Sequence, residues 1–76
     1  MRVIKETYFY DREPIVTEIF EGGLVDCTML FLGFVNQTLD EQGRSRMDIK
    51  VFDNRCMWCD LPSGDCEEAV VLRMVE

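Results

Sequence analysis

The sequence predicts a mostly-β domain, a small antiparallel sheet or barrel-like roll of five or six strands with room for one short helix; an α+β arrangement is the alternative. Three observations lead there. The chain has 76 residues, enough for one domain only, spanning 1–76. Apolar residues make up 47% and charged residues 30%, the balance of a folding sequence rather than a disordered one. Segments rich in β-branched and aromatic residues recur between strong turn signals. A chain this short buries roughly 60–65% of the surface it exposes when unfolded. Its core therefore has little stability to spare, and a metal, a disulfide or an oligomeric partner would help it.

Residues 3–10 read V-I-K-E-T-Y-F-Y, a first strand, and Asp11-Arg12-Glu13-Pro14 forms a turn in which proline fixes φ. Tyr8, Phe9 and Tyr10 must alternate sides, so at least one lies outside the core. Residues 15–20 are expected as a strand because β-branched residues dominate. A helix starting at Pro14 and stopping at Gly22-Gly23 is the alternative. Gly22-Gly23 suits a tight hairpin. Residues 24–35 are the most apolar part of the chain and are expected as a central strand buried on both sides, with Gly33 at a bulge.

Residues 40–44 make a turn, after which Met47, Ile49 and Val51 alternate with Asp48, Lys50 and Phe52 in a further hairpin. Leu61-Pro62-Ser63-Gly64-Asp65 is another turn. A closing strand follows, with Val70, Leu72 and Met74 on one face; its rival is a short helix capped by Ser63 or Asp65.

Fifteen acids against eight bases give a net charge of −7, which repels phosphate backbones and attracts basic surfaces. Direct nucleic-acid binding is not expected; a protein partner with a basic surface is. Asp11, Glu13, Glu18, Glu21 and Asp26 fall in and beside the first hairpin and form the candidate contact patch. The plainer reading is a solvated face that confers solubility. Arg44, Arg46, Lys50 and Arg55 form a locally basic stretch that Asp48 and Asp53 dilute, as a solvated strand face would. The longest apolar run, 29–35, is interrupted by Gly33 and far short of the roughly 20 residues a bilayer span needs. The first residues lack the uninterrupted apolar stretch of a secretion signal, so a cytoplasmic location is expected. There, cysteines are thiols or metal ligands more often than disulfides.

The chain has no histidine, which removes imidazole as base, proton shuttle or ligand. Phosphate-binding loops, nucleophile elbows and zinc-protease motifs are absent from the sequence. Asp40-Glu41 and Glu67-Glu68 are adjacent acids, which a strand would point to opposite faces. A non-enzymatic protein is expected. The cysteines are Cys27, the pair Cys56-x2-Cys59, and Cys66; four thiolates could hold one structural zinc ion. Against zinc stand the single Cys-x2-Cys, the lack of a glycine within it, and Cys27 on the most apolar segment. Plain thiols with no cofactor are the weightier reading. A redox dithiol needs a stabilised thiolate, and Arg55 is the only adjacent cation. Trp58 beside Met57 could anchor a partner, or it could close one end of the sheet.

Size and charge together suggest a small acidic interaction module that binds another protein. Phage and mobile-element inhibitors, including anti-CRISPR and other anti-defence proteins, are of this type, and some mimic nucleic-acid charge. A zinc-stabilised scaffold module is the alternative function. Exposed sheet edges would also permit a homodimer by strand pairing.

Overall fold

A computed structural model describes residues 1–60 and 68–76. Its elements in chain order are β1 (Arg2–Tyr8), β2 (Ile15–Glu21), α1 (Leu24–Asp40), β3 (Arg46–Val51), β4 (Arg55–Asp60) and β5 (Glu68–Val75). The five strands form one antiparallel sheet in the order β2-β1-β5-β4-β3. The expected mostly-β class holds, with one helix among the described residues. The sheet is open rather than rolled, and the Cα extents of 38 × 27 × 17 Å are those of one helix lying on one sheet.

The helix occupies the segment expected as the central strand, so β5 takes the middle position instead. The reason lies in the periodicity of the buried side chains. Cys27, Phe31, Val35 and Thr38 are the buried positions, and their spacing follows a helical turn rather than a strand's alternation. Seventeen residues also exceed the usual strand. At 1.5 Å per residue the helix is about 25 Å long, enough to cross from β2 on one edge to β3 on the other over strands about 4.8 Å apart.

Gly22-Gly23 is consequently not a hairpin turn. Gly22 N–H donates to the Met1 carbonyl at 2.9 Å, and Gly23 is the N-cap whose carbonyl accepts the first helical bond from Cys27 N–H at 3.0 Å. A Cβ on Gly22 would sit 2.7 Å from the Phe20 ring, so a larger residue here would have to displace that ring. At the other end Gly43, with φ of 80°, makes the tight return from α1 into β3.

Val3, Cys27, Phe31, Val35, Cys56, Trp58, Val70 and Leu72 form the core between helix and sheet. Partly buried Ile19, Phe20, Leu30, Phe34, Ile49 and Met74 extend it. Both edges of the sheet carry a bulge. In β2 the register slips so that Val3 faces Phe20 while Ile4 faces Glu18, which brings Ile19 and Phe20 together onto the core. In β3 the slip lies between Met47 and Lys50, where Asp48 adopts φ of 54°. That conformation is disfavoured for most side chains but tolerated by Asp. It breaks the expected alternation: Met47 pairs with Cys59, while Ile49 packs against the core. Bulges on both edges are a common way to blunt strand-on-strand association.

Val70, Leu72 and Met74 share the helix-facing side of β5 as expected, and 68–75 is a strand. The first strand ends at Tyr8, and Tyr8 and Tyr10 are both exposed, so the aromatic trio does lie largely outside the core. The turn expected at 61–65 lies outside the described residues.

Candidate interaction surfaces

The acidic residues singled out in the sequence assemble along one side of the molecule. Asp11 and Glu13 sit in the turn joining β1 to β2. Glu18 and Glu21 lie on β2, an edge strand with its outer backbone groups unpaired in the sheet. Asp26 lies in the first turn of α1, immediately after β2. All five are exposed. The acid sits well at a helix N-terminus, where the backbone N–H groups carry partial positive charge. One base interrupts the line: Arg2 Nε is 3.8 Å from Glu18 Oε1, both side chains about half exposed. Nearby Arg12 instead stacks on the Phe9 ring at 4.0 Å from its centroid. Ile15 and Val16 on the same strand are exposed. The edge thus combines unpaired backbone, two apolar side chains and a run of carboxylates.

The face of the sheet away from α1 carries a second cluster, which sequence reasoning missed. Alternation from the core residues puts Glu6 and Tyr8 of β1, Val71 and Arg73 of β5, and Arg55 and Met57 of β4 on this face. Glu6 is 8% exposed, and its carboxylate takes Arg73 Nε at 2.6 Å on one oxygen and the Tyr8 hydroxyl at 3.0 Å on the other. The hydrogen bond to Glu6 pushes the Tyr8 phenol above its ordinary value; desolvation and the carboxylate's charge add to this, while Arg73 opposes it. Two open grooves of ≈ 420 and ≈ 320 Å³ run along this face, one beside the Asp48 bulge and one over the Glu6–Arg73 pair. Both are open troughs on the sheet surface rather than enclosing pockets, the second flanked by Tyr8, Arg55 and Arg73.

Trp58, the candidate partner anchor or closure for one end of the sheet, lies inside the helix–sheet core. It is 5% exposed in the core beneath α1, and its indole N–H donates to Asp60 Oδ1 at 2.9 Å. Arg46, expected on a solvated face, instead clamps helix to sheet. Its Nη1 donates to Thr38 Oγ1 at 2.9 Å, its Nε lies 3.4 Å from Asp60 Oδ1, and its guanidinium sits 5.0 Å from the Trp58 ring centroid. Arg55 stacks on Phe52 at 4.6 Å.

Of the four cysteines weighed as a candidate ligand set, the three described ones lie in different surroundings. Cys27, on α1, is buried where β1, β2 and the helix start meet, and its thiol lies 3.5 Å from the Met1 carbonyl and 3.7 Å from that of Gly22. Cys56 and Cys59 lie in a strand rather than a turn, so Cys56 faces the core and Cys59 the opposite side. Burial pushes the Cys56 thiol up, with Arg46 opposing, which keeps it protonated and weakly nucleophilic. Cys66 lies outside the described residues. Among the described residues no three His, Cys, Asp or Glu side chains are grouped to hold a metal ion, and no helix is long and apolar enough to cross a membrane.

No family model, no curated protein and no solved structure matches the chain.

Proposed function

We propose that this chain is a non-enzymatic interaction module that binds a basic segment of another protein along the β2 edge. The observation that carries the reading is the coincidence of the acid line with an unpaired strand: Asp11, Glu13, Glu18 and Glu21 border β2, and Asp26 continues the line at the start of α1. An extended basic segment added to β2 would gain main-chain hydrogen bonds, contact with Ile15 and Val16, and charge complementarity at once. The β2 bulge confines such pairing to the stretch before Ile19. A net charge of −7 adds long-range attraction for such a partner. Size and charge favour, as its biological form, an inhibitor that occupies a nucleic-acid-binding surface of a host protein, as phage-encoded anti-CRISPR and other anti-defence proteins do.

A labelled decapeptide of alternating arginine and valine tests the binding mode by fluorescence anisotropy. Binding is expected at about 50 mM salt and a loss of at least tenfold in affinity at about 500 mM. The double variant Glu18→Lys with Glu21→Lys should weaken it by at least a further tenfold. Binding that ignores both salt and charge reversal sinks the proposal.

A further inference from the structure

We propose that the helix-free face of the sheet holds a small-molecule site, at which Arg55 and Arg73 bind the carboxylate of a monocarboxylic acid with an apolar body. The two arginines are direct partners on β4 and β5. Like charges placed opposite each other on adjacent strands stand about 5 Å apart at Cβ and repel. Only one of these two is compensated. Glu6 holds Arg73 through Nε at 2.6 Å. Among the described residues no carboxylate lies within ion-pair distance of Arg55, whose guanidinium rests on the Phe52 ring. Glu6, Arg73 and Arg55 together therefore leave one uncompensated positive charge, in a chain whose net charge is −7.

That charge selects the ligand's head. Arg55 is exposed and the Arg73 side chain is 44% exposed, so both can reach a bound anion, and the planar guanidinium fork suits a planar carboxylate. A phosphate monoester, at about −1.5 to −2 near neutral pH, brings excess negative charge beside Glu6. The trough selects the ligand's body. Met57, Ala69 and Val71 line both the ≈ 320 Å³ groove at the arginines and the adjoining ≈ 420 Å³ groove, so the two are continuous over an apolar middle. Ala69 lies between Tyr8 on β1 and Cys59 on β4, and its methyl group leaves the room that an apolar chain would fill. At the far end Lys50 and Asp48 offset each other, which directs the carboxylate to the arginines. None of these residues belongs to the acid line along β2, so the site does not rest on the proposed partner binding.

Titration of the isotope-labelled full chain with sodium octanoate, followed by amide chemical shifts, tests this. Saturable shifts are expected at Tyr8, Met57, Ala69 and Val71, with a Kd of about 1 mM or below. Acetate, which lacks the body, should bind at least about tenfold more weakly. Arg55→Gln should weaken octanoate by about tenfold or more, and Ala69→Leu, which fills the trough, by about fivefold or more. Arg55 and Ala69 lie outside the core, so far-UV circular dichroism and Trp58 emission should stay unchanged in both variants. No saturable shift on this face up to about 20 mM octanoate overturns the proposal. So does binding that both variants retain, or octanoate shifts centred on the outer side of α1. Octyl phosphate binding more tightly than octanoate would overturn the selection of a carboxylate.

Discussion

Replacing Arg46 with alanine should destabilise the domain by about 2–3 kcal/mol, although the residue sits in what reads as a solvated basic stretch. The side chain loses three contacts together. A charged donor to the buried Thr38 hydroxyl, which is 1% exposed, contributes about 1.5 kcal/mol. The ion pair with Asp60, whose side chains are 22% and 25% exposed, is screened in part and contributes about 0.5–1 kcal/mol. The guanidinium near the Trp58 ring adds about 0.5 kcal/mol. These overlap, so the sum is bounded rather than additive. For a domain of this size the loss corresponds to a fall in Tm of roughly 10–20 °C. Urea unfolding followed by emission of the sole tryptophan, Trp58, measures it, because the ring is itself part of the cluster. Arg46→Lys keeps the charge but not the fork, and should lose about half as much. An Arg46→Ala variant within about 0.5 kcal/mol of wild type, or an Arg46→Lys variant equal to it, would refute the clamp.

Neighbouring helix positions should behave oppositely: Phe31→Ala should cost about 3–5 kcal/mol and Leu32→Ala under about 1 kcal/mol in urea unfolding at low protein concentration, since Phe31 is 1% exposed and Leu32 53%. Equal losses would contradict the helical register. Native-state labelling with a thiol reagent should leave Cys27 and Cys56 unmodified until urea unfolds the chain, as mass mapping would show, because both are buried. In a Tyr10→Phe background the remaining phenol should titrate by absorbance above pH 10, and Glu6→Gln should bring the midpoint back toward 10. A phenol whose folded pKa is raised above its unfolded value adds stability that is fully present below about pH 10 and is lost as pH rises through the folded value. Tyr8→Phe should therefore flatten the alkaline decline in stability.

β1, β2, β3 and β5 were legible because they carry β-branched, aromatic or alternating side chains between turn signals, whereas β4 reads in the sequence only as a Cys-x2-Cys segment. The helix was not legible, because its outer stripe of Val25, Met29, Leu32 and Leu39 cancels the contrast with its inner one. A segment apolar on both sides reads as a doubly buried strand, and only its length argues otherwise. Gly22-Gly23 is compatible with a hairpin as well as with a helix start, so it could not decide the matter. The Asp48 bulge gives no stronger signal than an aspartate inside an alternating run. Of the candidate surfaces, the acid line was legible as local charge between Asp11 and Asp26. The Glu6–Tyr8–Arg73 cluster was not, because the antiparallel pairing of β1 with β5 brings it together from opposite ends of the chain. Arg46 was legible only by residue type, because its partners Thr38 and Asp60 come from α1 and β4.

Amide chemical-shift mapping of the labelled protein with the alternating arginine–valine peptide tests the β2 edge most directly. The largest shifts should fall between Asp11 and Glu18, with new hydrogen-exchange protection at outward-facing β2 amides, and should vanish at about 500 mM salt. Shifts centred on β3 or on the helix-free face, with β2 unchanged, would contradict the assignment of this edge as the binding site.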